Sequence, residues 1–307
     1  MPDPSVSAAR RQLTLYLALT FAISLAIQAR IFVLGGPIED YTLEVLALMW
    51  TPGLVSLLCR LVFREGLRDV SFRIGRAGGA KPWLVAWLAP LVVCAIAYPL
   101  AWLSGLDAFG PEPSVGLGTL APPTRFAALL ALTLTIGVPL SAISALGEEI
   151  GWRGYMLTRL IEAQAPYPIV LSGLIWGVWH LPLIFSGQYA AGPHPLLSAP
   201  LFVVGIVAGG IVVAYVRLET GSMWAATLFH ASWNATIQGV FDRFTQGGGA
   251  SRTESIWIGE SGIVVVLVHV LVAALLMRGL RTWRRSPLEP PRPLAQTSSE
   301  EPSTLAA

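Results

Sequence analysis

Long apolar runs, each about the length of a membrane crossing, alternate with short polar or Gly/Pro-punctuated breaks along most of the chain. At roughly 20 apolar residues per crossing helix, the pattern predicts about eight spans. They fall at 13–33, 42–63, 83–105, 126–148 with a continuation to about 160, 167–186, 199–217, 221–241 and 257–278. Breaks such as Gly35-Gly36-Pro37 and Gly187 to Pro195 carry the turn chemistry of surface loops. The expected fold class is therefore all-α, a polytopic transmembrane helical bundle. The first span follows Arg10 and Arg11 as a signal peptide would, but it is too long for a secretory h-region and lacks an Ala-x-Ala site before Arg30. It is read as a retained helix. The stretch 286–307, rich in Pro, Ser and Glu, reads as a disordered tail. No internal repeat of the inverted-transporter kind stands out.

Composition agrees with the pattern. The 307 residues are 54% hydrophobic and 12% charged, about half the charged fraction of roughly 25% usual in soluble domains, and mean hydropathy is +0.64. A net charge of +2 without a basic-aromatic groove gives no support for a nucleic-acid partner. No Walker motif, dinucleotide fingerprint or Cys-x-x-Cys is present, and Cys59 and Cys94 fall in apolar runs as buried, inert thiols. Placing the N-terminus inside puts Arg10, Arg11, Arg64, Arg68, Arg73, Arg76, Lys81, Arg153, Arg159, Arg217 and Arg278 on the cytoplasmic side, with Arg281, Arg284 and Arg285. Only Arg30, Arg125, Arg243 and Arg252 remain opposite. That asymmetry follows the positive-inside rule and requires an even number of spans. The expected location is an integral protein of a bacterial cytoplasmic membrane with both termini cytoplasmic.

Against this background a few polar residues stand out. Glu148 and Glu149 are adjacent in a run that otherwise reads as membrane helix, where each charged residue costs roughly 2.5–3.5 kcal/mol on insertion scales. Residues four apart share a helix face and adjacent ones diverge by about 100°. Glu149 therefore stacks on Arg153 as an ion pair, whereas Glu148, whose own i+4 neighbour is Trp152, is left to face a cavity. A solvated helix end is the bland alternative. In the next apolar run Trp176 and His180 share a face, with Pro182 loosening the helix beside the histidine. In a later run His230 and Asn234 form a second i, i+4 pair, in which the amide either orients the imidazole or donates to an oxyanion. Polar glue between helices is the alternative for both. At 1.5 Å per residue, Glu148, His180 and His230 lie roughly 18, 20 and 13 Å from their cytoplasmic helix ends. A shared depth nearer the cytoplasm, with a cavity opening that way, is expected.

The order Glu148-Glu149-x-x-x-Arg153, aromatic-x-x-x-His180, His230-x-x-x-Asn234 resembles the three-motif signature of the CPBP family of intramembrane proteases, which contains CAAX prenyl endopeptidases and the bacterial Abi, bacteriocin-processing type. The chain divides accordingly into three N-terminal transmembrane helices at 1–124, a CPBP/Abi-like catalytic core at 125–240, a last helix at 241–285 and the tail. The resemblance implies Glu148 as general base with His180 holding the same water, Glu149 and Arg153 as supports, and His230 and Asn234 as oxyanion donors. It implies a membrane-associated protein or peptide substrate, CAAX-like or of the bacteriocin-leader type, with membrane lipid around it. The family is often called metalloprotease, so Zn²⁺ on Glu149, His180 and His230 is a candidate cofactor beside a metal-free glutamate mechanism. One departure is Trp176, where the family usually has Phe; it is expected to change pocket shape more than chemistry. A non-catalytic immunity or scaffold protein and an ion-coupled transporter are the competing functions. Gly259-Glu260-Ser261-Gly262 imitates a rhomboid serine motif, but its nearest histidine, His269, lies on the same predicted helix, so it is read as a decoy, as is loop residue His194.

Overall fold

The computed structural model describes residues 4–74, 79–111, 118–246 and 255–279. The expected tail at 286–307, together with Arg76, Arg252, Arg281, Arg284 and Arg285, lies outside the described residues. Among the described residues eight helical rods account for the apolar runs. These are α1 (Pro4–Leu34), α2 (Thr42–Val62), α3 (Lys81–Ser104), α4 (Pro122–Glu162), α5 (Pro168–Phe185), α6 (Pro195–Thr220), α7 (Met223–Thr236, prolonged by Ile237–Phe241 and Asp242–Phe244) and α8 (Ile263–Gly279). The rods α1 to α6 are long and apolar enough to cross a membrane, α8 is a shorter apolar helix, and α7 gains its length from the turns beyond Thr236. Pairing between strands is confined, among the described residues, to one bridge between Phe109 and Thr245. The protein is a helical membrane bundle.

Local sequence explains the rod ends. Proline sits in the first turn of α3, α4, α5 and α6, where its missing N–H would have no intrahelical partner. The α6–α7 turn is only Gly221 and Ser222: Gly221 adopts φ +60°, and the Ser222 hydroxyl caps α7 by accepting from the Trp224 N–H at 3.2 Å. Three π turns interrupt the rods, at Thr133–Gly137 and Trp152–Met156 in α4 and at Ile237–Phe241 in α7. One of them contains Arg153 and another begins three residues after Asn234, beside the polar motifs, a common setting for π-bulges.

Successive rods run up and down, so the chain has two faces. On the face of the N-terminus, Arg159 pairs with Glu65 (2.9 Å), Asp69 (3.3 Å) and Glu162 (2.6 Å). Arg60 binds Asp69 and the Gly154 carbonyl (2.9 Å), and Arg217 donates to the Asp69 carbonyl at 2.7 Å. These bonds pin the α2–α3 connection beneath α4 and α6. On the opposite face the α3–α4, α5–α6 and α7–α8 connections meet. Gly110 N–H donates to the Phe244 carbonyl (2.9 Å), Ser261 Oγ to the Ala190 carbonyl (2.7 Å), and Gly259 N–H to the Tyr98 hydroxyl (3.2 Å), which itself donates to Asp242.

The rods α2 and α4 cross with backbones almost touching. A Cβ on Gly53 would lie 2.5 Å from the Gly147 carbonyl oxygen, and one on Gly151 would lie 2.5 Å from the Pro52 backbone carbon. Small residues at such a crossing let membrane helices approach where lipid supplies no hydrophobic drive. The crossing falls just beside Glu148 and Glu149 and fixes how α4 is rotated.

Candidate active site

The three polar motifs come together in the middle of the bundle. Glu148, Glu149 and Arg153 on α4 are 2%, 0% and 1% exposed, so the solvated-helix-end reading fails. Glu149 Oε1 accepts from Arg153 Nη1 at 2.9 Å, the i, i+4 pair anticipated from spacing, and from His230 Nδ1 at 2.8 Å. Glu148 faces a cavity of about 580 Å³, as do His180, His230 and Asn234. It is not free there. Its Oε2 accepts from the indole N–H groups of Trp176 (2.7 Å) and Trp152 (3.2 Å).

Trp176 thus corrects one expectation. Its ring lies under the Arg153 guanidinium, with Cζ 4.1 Å from the ring centroid, while its N–H grips the Glu148 carboxylate. A phenylalanine can offer the face but not the donor, so the exchange alters chemistry as well as shape. The indole couples the structural pair Glu149–Arg153 to the carboxylate that faces the cavity.

Each histidine has one nitrogen committed. His180 Nδ1 is 2.8 Å from the Trp176 carbonyl, which can only accept, so Nδ1 carries the proton and Nε2 holds the lone pair. The ring is walled by Trp176, Trp179, Tyr189 and Phe202, at centroid distances of 5.9, 4.8, 5.8 and 5.0 Å. His230 is oriented by Glu149 across the α4–α7 contact, where the motif alone pointed to Asn234 as one candidate orienter; Asn234 lines the cavity instead. Partner carboxylates of this kind fix a histidine's tautomer and ring angle.

The candidate zinc set does not assemble. Glu149 is taken up by Arg153 and His230 Nδ1, and among the described residues no three His, Cys, Asp or Glu side chains gather closely enough to hold a metal ion. The donors as arranged do not fit a resident zinc.

A second polar group in the cavity was not read from sequence. Glu260 accepts from Trp233 Nε1 (2.9 Å), Gln238 Nε2 (3.3 Å) and the Tyr189 hydroxyl. The only available signal was an acidic residue inside the rhomboid-like decoy. The decoy serine, Ser261, is buried and spent on the Ala190 carbonyl; His269 packs flat on Trp233 at 4.4 Å, and His194 is exposed ahead of α6. Cys59 and Cys94 are buried and free.

Helices of crossing length around a buried carboxylate–imidazole cluster define an integral membrane protein. Residues 122–236 match the family described as type II CAAX prenyl endopeptidase Rce1-like. A stretch of 93 residues is 33% identical to a protein named CAAX prenyl protease 2 from Methanococcus maripaludis, covering 29% of this chain and 34% of that relative. The similarity is confined to this stretch, and the chain spans about a third of the length of that relative.

Proposed function

We propose that the protein is an intramembrane endopeptidase that hydrolyses peptide bonds of a membrane-associated protein or peptide, with Glu148 as general base. The observation that carries this reading is the Glu148 carboxylate, held by two indole donors at the wall of a cavity that it shares with two imidazoles and an amide. A carboxylate so fixed loses little orientational freedom when it meets a water molecule.

The chemistry follows from the committed atoms. Water sits between Glu148 and His180 Nε2. Glu148 takes its proton as the oxygen adds to the scissile carbonyl carbon. The resulting oxyanion is met by Asn234 and, when protonated at Nε2, by His230, whose charge Glu149 supports. Glu148 then returns the proton to the leaving nitrogen as the C–N bond breaks, which balances the hydrolysis. Glu149 and Arg153 hold the site without touching the substrate. No step in this scheme uses a metal ion.

The match to a CAAX prenyl endopeptidase family favours a substrate anchored in or on the membrane, either CAAX-like or of the bacteriocin-leader type. The test is incubation of the purified protein in liposomes with a pool of membrane-anchored peptides of both kinds. New termini found by mass spectrometry at one bond support the reading; no product from a folded protein across the pool contradicts it and favours an immunity or scaffold role.

A further inference from the structure

The string Gly259-Glu260-Ser261-Gly262 has no part in the proposed chemistry, yet every residue of it is committed. Gly259 adopts φ +83°, and the Gly262 N–H closes the turn on the Gly259 carbonyl at 2.9 Å. A Cβ on Gly262 would run into the Ile258 carbonyl group, so both glycines belong to the turn. Its two middle side chains reach two successive residues of the α5–α6 connection. Glu260 Oε2 accepts from the Tyr189 hydroxyl, and Ser261 Oγ donates to the Ala190 carbonyl at 2.7 Å. The connection depends on such a clasp. Gly187, Ala190 and Gly192 take φ +75°, +45° and +53°, and an alanine stays in that region only where its surroundings hold it.

Tyr189 is where the connection meets the site. His180 Nδ1 is fixed on the Trp176 carbonyl, which leaves the tilt of the ring, and with it the aim of Nε2, to the side chains that flank it. Of the four rings around His180, Tyr189 alone lies near parallel, with planes 26° and centroids 5.8 Å apart. The same carboxylate reaches the other half of the site. Glu260 Oε1 accepts from Trp233 Nε1 (2.9 Å) and Gln238 Nε2 (3.3 Å), residues that bracket Asn234 on α7. Gln238 Nε2 also lies 3.3 Å from the Tyr189 hydroxyl, which closes the network.

We infer that Glu260 is a positioning residue. Through Tyr189 it sets the tilt of His180, and through Trp233 and Gln238 it holds the stretch of α7 that carries Asn234 in register with that ring. Its effect on rate rests on the endopeptidase reading; its hold on His180 does not.

The experiment takes two readouts on Tyr189→Phe, Glu260→Ala and the double variant of the full chain, with thermal unfolding recorded for each. Tyr189→Phe removes one hydroxyl and keeps the ring, so it carries both readouts should Glu260→Ala fail to fold. The first is NMR of isotope-labelled histidine side chains in detergent micelles, with the His180 signals assigned by their loss in His180→Gln. Tyr189→Phe should move the His180 ring signals and leave those of His230, which Glu149 holds, in place. Unmoved His180 signals, or equal movement of both histidines, would overturn the hold on His180. The second is cleavage kinetics. Each single variant should lower kcat by at least about tenfold and up to about a hundredfold, the scale of a displaced catalytic group, with KM nearly unchanged. The double variant should be no slower than the slower single one, because both act through one bond. Multiplied losses would overturn that path, and a raised KM with intact kcat would instead set Glu260 against the substrate. A folded wild type that cleaves nothing contradicts the protease reading alone, and the NMR result still decides the hold on His180.

Discussion

At the residue scale the site is a set of shared atoms: Glu149 serves Arg153 and His230, and Trp176 serves Arg153 with its face and Glu148 with its N–H. Trp176→Phe keeps the face and removes the donor. Hydrogen bonds to charged groups contribute about 1.5–3 kcal/mol, so kcat should fall roughly ten- to hundredfold at 1.36 kcal/mol per decade. KM should change little, and a KM effect with intact kcat would contradict the positioning role. Arg153→Leu should destabilise the fold by about 3–5 kcal/mol, because it strands a buried carboxylate; thermal unfolding in detergent reads this, and Glu149→Gln in the same protein should recover part of the loss. The Glu149–Arg153 pair was legible in the sequence because both residues lie on one helix at a fixed spacing. The Trp176–Glu148 and Glu149–His230 bonds were not, since each joins two helices whose relative rotation leaves no trace in periodicity.

At the scale of elements, the crossing of α2 and α4 decides whether Glu148 meets Trp176 at all. Gly53→Ala would drive a methyl group to 2.5 Å from the Gly147 carbonyl oxygen, contact that only backbone movement relieves. Overpacking of this kind costs typically about 1–3 kcal/mol. The expected outcome is a lowered Tm with reduced cleavage, while Gly66→Ala, which meets nothing within 4 Å, should leave both close to wild type. Equal behaviour of the two variants would mean that the crossing does not set the site. The rods themselves were readable from hydropathy: eight were expected and eight are found among the described residues. Their ends were less so. The first rod begins at Pro4, well before the apolar run; α4 ends at Glu162, close to the expected continuation to about 160, but passes through two π turns that have no compositional signature.

At the scale of the whole molecule, depth brings the site together. The helical spacing of the three motifs predicts a common depth, and they do meet. His180 lies within about 8 Å of the Phe185 end of α5, on the face opposite the N-terminus. The donor geometry carries a further expectation: cleavage should persist after treatment with a zinc chelator, since Glu149 is already bound by Arg153 and His230. Loss of cleavage on chelation, restored by added zinc, would contradict that.

The most direct measurement compares wild type with Glu148→Gln in liposomes on the peptide cleaved by the wild type, with thermal unfolding of both proteins recorded alongside. The amide keeps the shape of the side chain and an acceptor for the indoles but cannot take a proton from water. Glu148→Gln should remain folded and lose cleavage by at least about a hundredfold, the lower end of what a general base contributes. Cleavage by a folded Glu148→Gln at the wild-type rate would contradict it.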